Sequence, residues 1–190
     1  MRFTPMGMIA GLWMLMGAYW LVSAMGRKRA EKREAPAARL VHVALMAFAF
    51  LLLYSADPRF GPLDARFLPE QRWLEALGVA LTAAGVGFAI WARRHLGKNW
   101  SSEVTIREDH KLIRTGPYAR VRHPIYTGML AGLVGTVIAI GEWRAVAGLA
   151  IAMFGFFIKA RREEGFLARQ FGAAFEEHKK LTGFFLPRLS

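Results

Sequence analysis

Residues His110–Gly128 read HKLIRTGPYARVRHPIYTG, and the reading of the whole chain turns on this stretch. It gathers Lys111, Arg114, Arg120 and Arg122 with two histidines, two tyrosines and two Gly/Pro breaks, immediately ahead of a long apolar run. That is the pattern of a polar site at a membrane face. Gly116-Pro117 ends any incoming helix, because proline lacks an N–H and turns the residue before it away from α geometry. His123-Pro124 starts the next helix, since proline suits a first helical position. The free N–H groups of that first turn, around Ile125 and Tyr126, make a local positive end suited to a carboxylate or phosphate. Arg122 beside them adds a permanent, fork-shaped charge.

Composition agrees with a membrane setting. The 190 residues are 54% hydrophobic and 21% charged with a positive mean hydropathy, which is unusual for a soluble globule and fits one membrane domain with charged loops. Within that single domain, residues 1–93 read as N-terminal spans and residues 94–190 as the cofactor-binding and catalytic part. A net charge of +12 raises the question of nucleic acid. The distribution answers it: most of the 26 Lys and Arg fall in Arg27–Arg39, Arg93–Arg122 and Lys159–Arg188, all flanking apolar runs. Basic loops of this kind face anionic membrane lipid from the cytosol and leave no nucleic-acid partner to expect. Cysteine is absent, which excludes disulfides, thiolate nucleophiles and Cys-based metal sites.

Five spans are expected. Pro5 to Met25 is apolar and uncharged, and its positive cluster Arg27-Lys28-Arg29 follows rather than precedes it, so it reads as a retained anchor rather than a cleaved signal. Gly26 to Arg39 is a charged connector, Leu40 to Ala56 a second span, Asp57 to Arg72 a loop, and Trp73 to Trp91 a third span. Ile125 to Gly141 is the fourth. Glu142-Trp143-Arg144 leaves room only for a tight helical hairpin before the short fifth run, Ala145 to Ile158, which continues as a charged cytosolic helix through about Lys180. An odd number of spans with all basic loops on one side puts the N-terminus outside and the organising stretch in the cytosol of a cytoplasmic membrane.

Glycines predict the packing. Gly128, Gly132 and Gly135 fall at i, i+4, i+7 on the fourth span, and Gly78 and Gly85 flank Thr82 on the third. Such ridges let membrane helices approach closely, although glycine is also simply commoner in membrane helices. In the C-terminal segment, Ala160, Glu164, Leu167, Phe171, Phe175 and His178 share one helical stripe, which places a carboxylate on an apolar face. Glu164 reads either as a surface pair with Arg161 or as a functional group. His42, inside the second span, reads as a packing hydrogen bonder. No histidine pair has the i, i+4 spacing of a helical zinc site, so no metal is expected. Neither a nucleophile elbow, a P-loop nor a dinucleotide fingerprint is present.

The run His110-x-Leu112-x-x-x-Gly116-Pro117-Tyr118-x-x-x-Arg122-His123-Pro124-x-Tyr126-x-Gly128, followed by Arg162-Glu163-Glu164, Phe171-Gly172 and Pro187, closely resembles the isoprenylcysteine carboxyl methyltransferase family and its bacterial relatives. The resemblance covers residues 95 to 187, and Phe175 departs from it where such sequences usually carry tyrosine. It implies an all-α polytopic membrane methyltransferase that binds S-adenosylmethionine without a Rossmann fold. The cofactor would sit between the R-H-P segment and the C-terminal helix, with His110, Leu112, Gly116, Tyr118, His123, Tyr126 and Glu164 as candidate cofactor-binding residues.

Chemistry assigns roles within that set. Tyr118 and Tyr126 suit a sulfonium or an adenine, His123 with the helix N-terminus suits a carboxylate, and Glu163 or Glu164 suits an ammonium. Arg122 is then free to orient an anionic acceptor, which makes Arg122, Glu163 and Glu164 the candidate catalytic residues. Asn99, Trp100 and Ser101 are candidate substrate contacts, with an interfacial anchor as the other reading of Trp100. The acceptor is expected to be a lipophilic small molecule or a lipid-linked group. A carboxylate would need no general base, whereas an amine, phenol or thiol would need a glutamate or histidine. Two other readings stay open: an NADPH-dependent membrane reductase of sterol or isoprenoid type, and a non-enzymatic lipid-binding membrane subunit.

Overall fold

The computed structural model describes residues 4–24, 36–55, 60–97 and 112–188. Among the described residues, six α-helices follow in order: α1 Pro5–Ala24, α2 Pro36–Tyr54, α3 Arg72–Leu96, α4 Pro124–Ile140, α5 Trp143–Phe171 and α6 Ala173–Leu181. By length and composition α1, α2, α3 and α5 can cross a membrane, and α4 is a shorter apolar helix of 17 residues. At 1.5 Å per residue α4 covers roughly 25 Å, a modest mismatch that a bilayer absorbs by local thinning. These five are the spans expected from the apolar runs. Successive spans alternate in direction, which places the start of α1 at the end of the bundle away from the His123 segment.

Backbone contact between glycines sets the tightest pair, α3 on α4. A β-carbon at Gly78 would lie 2.6 Å from Gly135 O, one at Gly128 2.7 Å from Gly85 O, and one at Gly135 2.6 Å from Thr82 N. Helices this close leave room for a hydrogen bond across the seam: the Thr82 hydroxyl shares its proton between Gly132 O of α4, at 3.1 Å, and Gly78 O of its own helix, at 2.8 Å. Trp13 of α1 closes the outside of the seam, its indole donating to Thr136 Oγ1 at 3.1 Å. A second glycine seam joins α5 to α2, where Gly148 faces Ala49 O and Gly155 faces Met46.

At the end away from His123, a buried arginine ties the connections together. Arg144 donates from Nε to Glu142 at 2.5 Å and from Nη1 to Leu52 O at 2.6 Å. Gly141, in the left-handed region at φ 72°, ends α4, and its carbonyl accepts from Phe67 N and Leu68 N of the second loop.

The C-terminal part departs from expectation in one respect. A continuous helix from Ala145 through about Lys180 does not form; α5 ends at Phe171, and Gly172, at φ 49°, redirects the chain into α6. Glycine takes this conformation without the steric cost a β-carbon would carry. Phe175 and His178 are nevertheless buried along with Ala160 and Glu164, so the apolar stripe survives as a folded-back pair of helices.

Candidate active site

The site forms where the first turn of α4 meets α5. His123 is the residue before the helix, with Pro124 at its first position as the sequence pattern requires. Ahead of it, Gly116–Ala119 makes a single 3-10 turn that begins with Gly116 at φ 58°. Neighbouring residues on a helix point about 100° apart, so Glu163 and Glu164 straddle the His123 ring rather than stacking on one side. Glu163 Oε2 lies 3.6 Å from Nδ1, and Glu164 Oε1 lies 3.4 Å from Nε2. Tyr126, one turn into α4, donates its hydroxyl to Glu163 Oε1 at 2.5 Å, and its ring stacks on Phe156 at 5.2 Å.

Arg122 clamps three elements. Its Nε donates to Glu164 Oε1 at 2.6 Å, and its Nη1 donates to the carbonyls of Thr182 and Lys179 at the end of α6. Arg122, expected to be free to orient an anionic acceptor, thus has two of its three nitrogens engaged in holding the site together. Glu164 is a buried group rather than a surface one, although Arg161 does pair with it. Its side chain is 6% exposed and centred on Arg122 and His123, while Arg161, 3.5 Å away, is 62% exposed and forms only the rim.

Burial by itself disfavours an imidazolium, but hydrogen bonding and charge from Glu163 and then Glu164 outweigh it and hold the His123 pKa above its ordinary 6.5. The sign of the pH dependence follows. A group whose pKa is raised by folding contributes stability that is complete below its unfolded value and is lost as pH rises through the folded value. Thermal melts in detergent should show Tm falling on the alkaline side of pH 6.5, and His123→Gln should flatten that fall. An equally steep fall in the variant would exclude His123 as its source. Burial also pushes the Tyr118 phenol up, helped by the Glu163 charge, so this hydroxyl stays protonated.

The segment after α6 had no forecast role and proves integral. Gly183 pairs with Val121 in a short parallel bridge: Arg122 N donates to Gly183 O at 2.9 Å, His123 N to Phe184 O at 3.2 Å, and Gly183 N to Arg120 O at 3.0 Å. Thr127 Oγ1 donates to Phe185 O at 2.6 Å. Phe184 packs its ring 4.9 Å from His123 and 5.5 Å from Phe157 of α5. The carbonyls of this strap thus take the backbone donors of Arg122 and His123, just ahead of the Ile125 and Tyr126 N–H groups that suit an anion.

Of the forecast residues, Arg122, His123, Tyr126, Glu163 and Glu164 converge, and Tyr118 lies within the electrostatic reach of Glu163. Gly116 lies on the far side of Tyr118 against His95. Leu112 is half-buried just before that turn. His110, Asn99, Trp100 and Ser101 fall outside the described residues. Phe175 is almost completely buried, with the Lys179 ammonium 5.8 Å from its ring centroid.

The sequence pattern of the phospholipid methyltransferase family matches residues 73–174, a range that takes in α3, α4, α5 and both halves of the site. Protein-S-isoprenylcysteine O-methyltransferase B of Arabidopsis thaliana is 29% identical over 140 residues, which cover 72% of this chain and 69% of the plant protein. Cobalt-zinc-cadmium resistance protein CzcN of Cupriavidus metallidurans is 33% identical over 121 residues, covering 62% of this chain and about half (53%) of that protein. A solved structure of the eukaryotic intramembrane Ras methyltransferase ICMT shares the fold with a TM-score of 0.62 at 21% identity, over 96% of this chain and 67% of the other.

Proposed function

The chain belongs to the phospholipid methyltransferase family and is an integral membrane methyltransferase; we propose that it moves a methyl group from S-adenosylmethionine to a lipophilic carboxylate. The observation that carries this reading is the pair of glutamates straddling one buried histidine.

The residues fit such a cofactor. His123 Nε2 is buried with Glu164 Oε1 beside it at 3.4 Å, outside good hydrogen-bond geometry, so it is a donor that a carboxylate could engage. Glu163 is the natural partner of an ammonium, and the Tyr126 and Tyr118 rings suit a sulfonium or an adenine. When bound, the cofactor supplies an activated methyl group, and no covalent nucleophile is needed from the protein. The chain's part is to bind, orient and exclude water. Arg122, with Thr182 and the strap, fixes the R-H-P segment against α5. Phe184 and Tyr126 cover the His123 ring.

The same arrangement favours an acceptor that arrives ionised. Glu163 is engaged with Tyr126 and His123, and Glu164 with Arg122, which leaves neither as a free base. A carboxylate needs none at neutral pH, whereas a phenol, amine or thiol would. Phe157, 47% exposed on α5 and packed on Phe184, supports entry of a lipophilic chain from the bilayer side.

The test is ligand binding by the purified chain in detergent. S-adenosylhomocysteine should bind and NADPH should not, and His123→Ala should weaken S-adenosylhomocysteine roughly tenfold or more. NADPH binding in its place would establish a reductase, and binding of neither would leave a lipid-binding subunit. Undiminished affinity in His123→Ala would remove that residue from the site.

The reading also places the site on the cytosolic side of a cytoplasmic membrane with the N-terminus outside, supported by the basic loops that flank the apolar runs. Cysteines introduced in this Cys-free chain at Leu63 and at Lys180, which lie at opposite ends of the bundle, should label from opposite faces of sealed vesicles. Labelling of both from one face would overturn the topology.

A further inference from the structure

Gly-Pro-Tyr at 116–118 is a turn that buries Pro117 and the Tyr118 ring, and the structure shows what lies against that ring. His95, in the last turn of α3, lies parallel to Tyr118 with centroids 6.4 Å apart and planes 20° from each other. His95 Nε2 and Thr115 Oγ1 are hydrogen-bonded at 2.9 Å. Gly116 lies flat against the same imidazole: a β-carbon there would come within 2.6 Å of Cε1, 2.8 Å of Nε2 and 2.9 Å of Nδ1. One side chain therefore meets three residues of the turn. Its own backbone is anchored close by, because Arg93 Nη1 donates to Gly97 O at 3.1 Å and Nη2 to Ser23 O at 3.2 Å, tying the end of α3 to α1.

We propose that His95 is a positioning residue that sets the Tyr118 ring for the bound cofactor. The backbone alone does not fix the turn: glycine at φ 58° is permissive, and a 3-10 turn of four residues has few bonds of its own. His95 supplies the missing restraint as a ring contact and a hydrogen bond together. The role explains why Gly116 must be glycine twice over, once for its conformation and once for the imidazole that occupies the space of a side chain. It rests on the cofactor reading above only for its binding consequence, not for the position of the ring.

Two measurements on the full chain in nanodiscs test it. The first is S-adenosylhomocysteine affinity across the cycle wild type, His95→Ala, Tyr118→Ala and the double variant. His95→Ala should weaken binding roughly three- to tenfold, the span of one net hydrogen bond. In the Tyr118→Ala background the same substitution should cost almost nothing, because contacting residues that act through one another are not additive. The second is the aromatic carbon spectrum of the ligand-free protein labelled at its four tyrosines. His95→Ala should shift or broaden Tyr118 and leave Tyr19, Tyr54 and Tyr126 in place. Additive losses in the cycle, or a lowered Tm with affinity and the Tyr118 signal unchanged, would overturn the proposal and leave His95 a structural contact. A wild-type protein that binds no S-adenosylhomocysteine while Tyr118 still responds to His95→Ala would instead sink the cofactor reading and leave the positioning intact.

Discussion

Glu164→Ala should lower the melting temperature by roughly 10 °C and abolish measurable cofactor binding, the largest effect of any substitution at the site. Removing this carboxylate leaves the Arg122 guanidinium and the His123 imidazolium buried side by side without their shared anion. Breaking a buried pair by deleting one partner costs about 3–5 kcal/mol, because the remaining charge keeps its desolvation penalty. In a chain of this size each kcal/mol moves Tm by roughly 2–4 °C. Arg122 would also lose the restraint that lets Nη1 reach the end of α6, so the strap should loosen with it. Glu164→Gln keeps the acceptor oxygen and should fall between the two. Melts followed by near-ultraviolet dichroism would check this; a shift of less than about 3 °C for the alanine variant would mean that Arg122 and His123 find other partners.

Gly85→Ala should be nearly as damaging, though it touches no functional group. A β-carbon there would lie 2.5 Å from Gly128 O and closer still to Gly132 N, and both are backbone atoms that cannot step aside. Only separation of α3 and α4 relieves the clash. Overpacking of this kind costs about 1–3 kcal/mol and more where backbone is involved, and separation also stretches the Thr82 bond to Gly132 O. Gly87→Ala on the same helix is the matched control, since nothing lies within 4 Å of its added carbon. Alanine is the better helix former by about 1 kcal/mol, so Gly87→Ala should hold or raise Tm. Equal behaviour of the two variants would show that the seam is not close-packed.

What was legible in the sequence was whatever repeats or breaks locally. Apolar run length gives the five spans, Pro124 gives the start of α4, and the spacing of Gly78, Gly85, Gly128, Gly132 and Gly135 gives the seam, because each is a rule about neighbours along one helix. The resemblance carried by Gly-Pro-Tyr, Arg-His-Pro-x-Tyr-x-Gly and Glu163-Glu164 is borne out by the family match and the methyltransferase relatives. What escaped was pairing between distant segments. Arg122 looked free because Thr182 O and Lys179 O are backbone acceptors some sixty residues away, and no side-chain pattern announces them. His95 sat among scattered histidines until Gly116 was seen to lie on its ring. Gly148 and Gly155 carry the same seven-residue spacing as Gly78 and Gly85 and could have been read as a second seam. Gly172 could equally have been taken as a helix stop, but the apolar stripe ran through it and hid the break.

The strap at Thr182–Phe185 has a consequence for the order in which the protein is made. The ribosome delivers all five spanning helices before these residues, so the bilayer can be crossed and the glycine seams closed while Arg122 N and His123 N still lack the carbonyls of Gly183 and Phe184. Insertion and completion of the site are then separate events, one governed by lipid and the other by water at the membrane surface. A lesion in the strap would pass every check that senses hydrophobic segments, yielding a chain correctly placed in the membrane with its histidine uncovered.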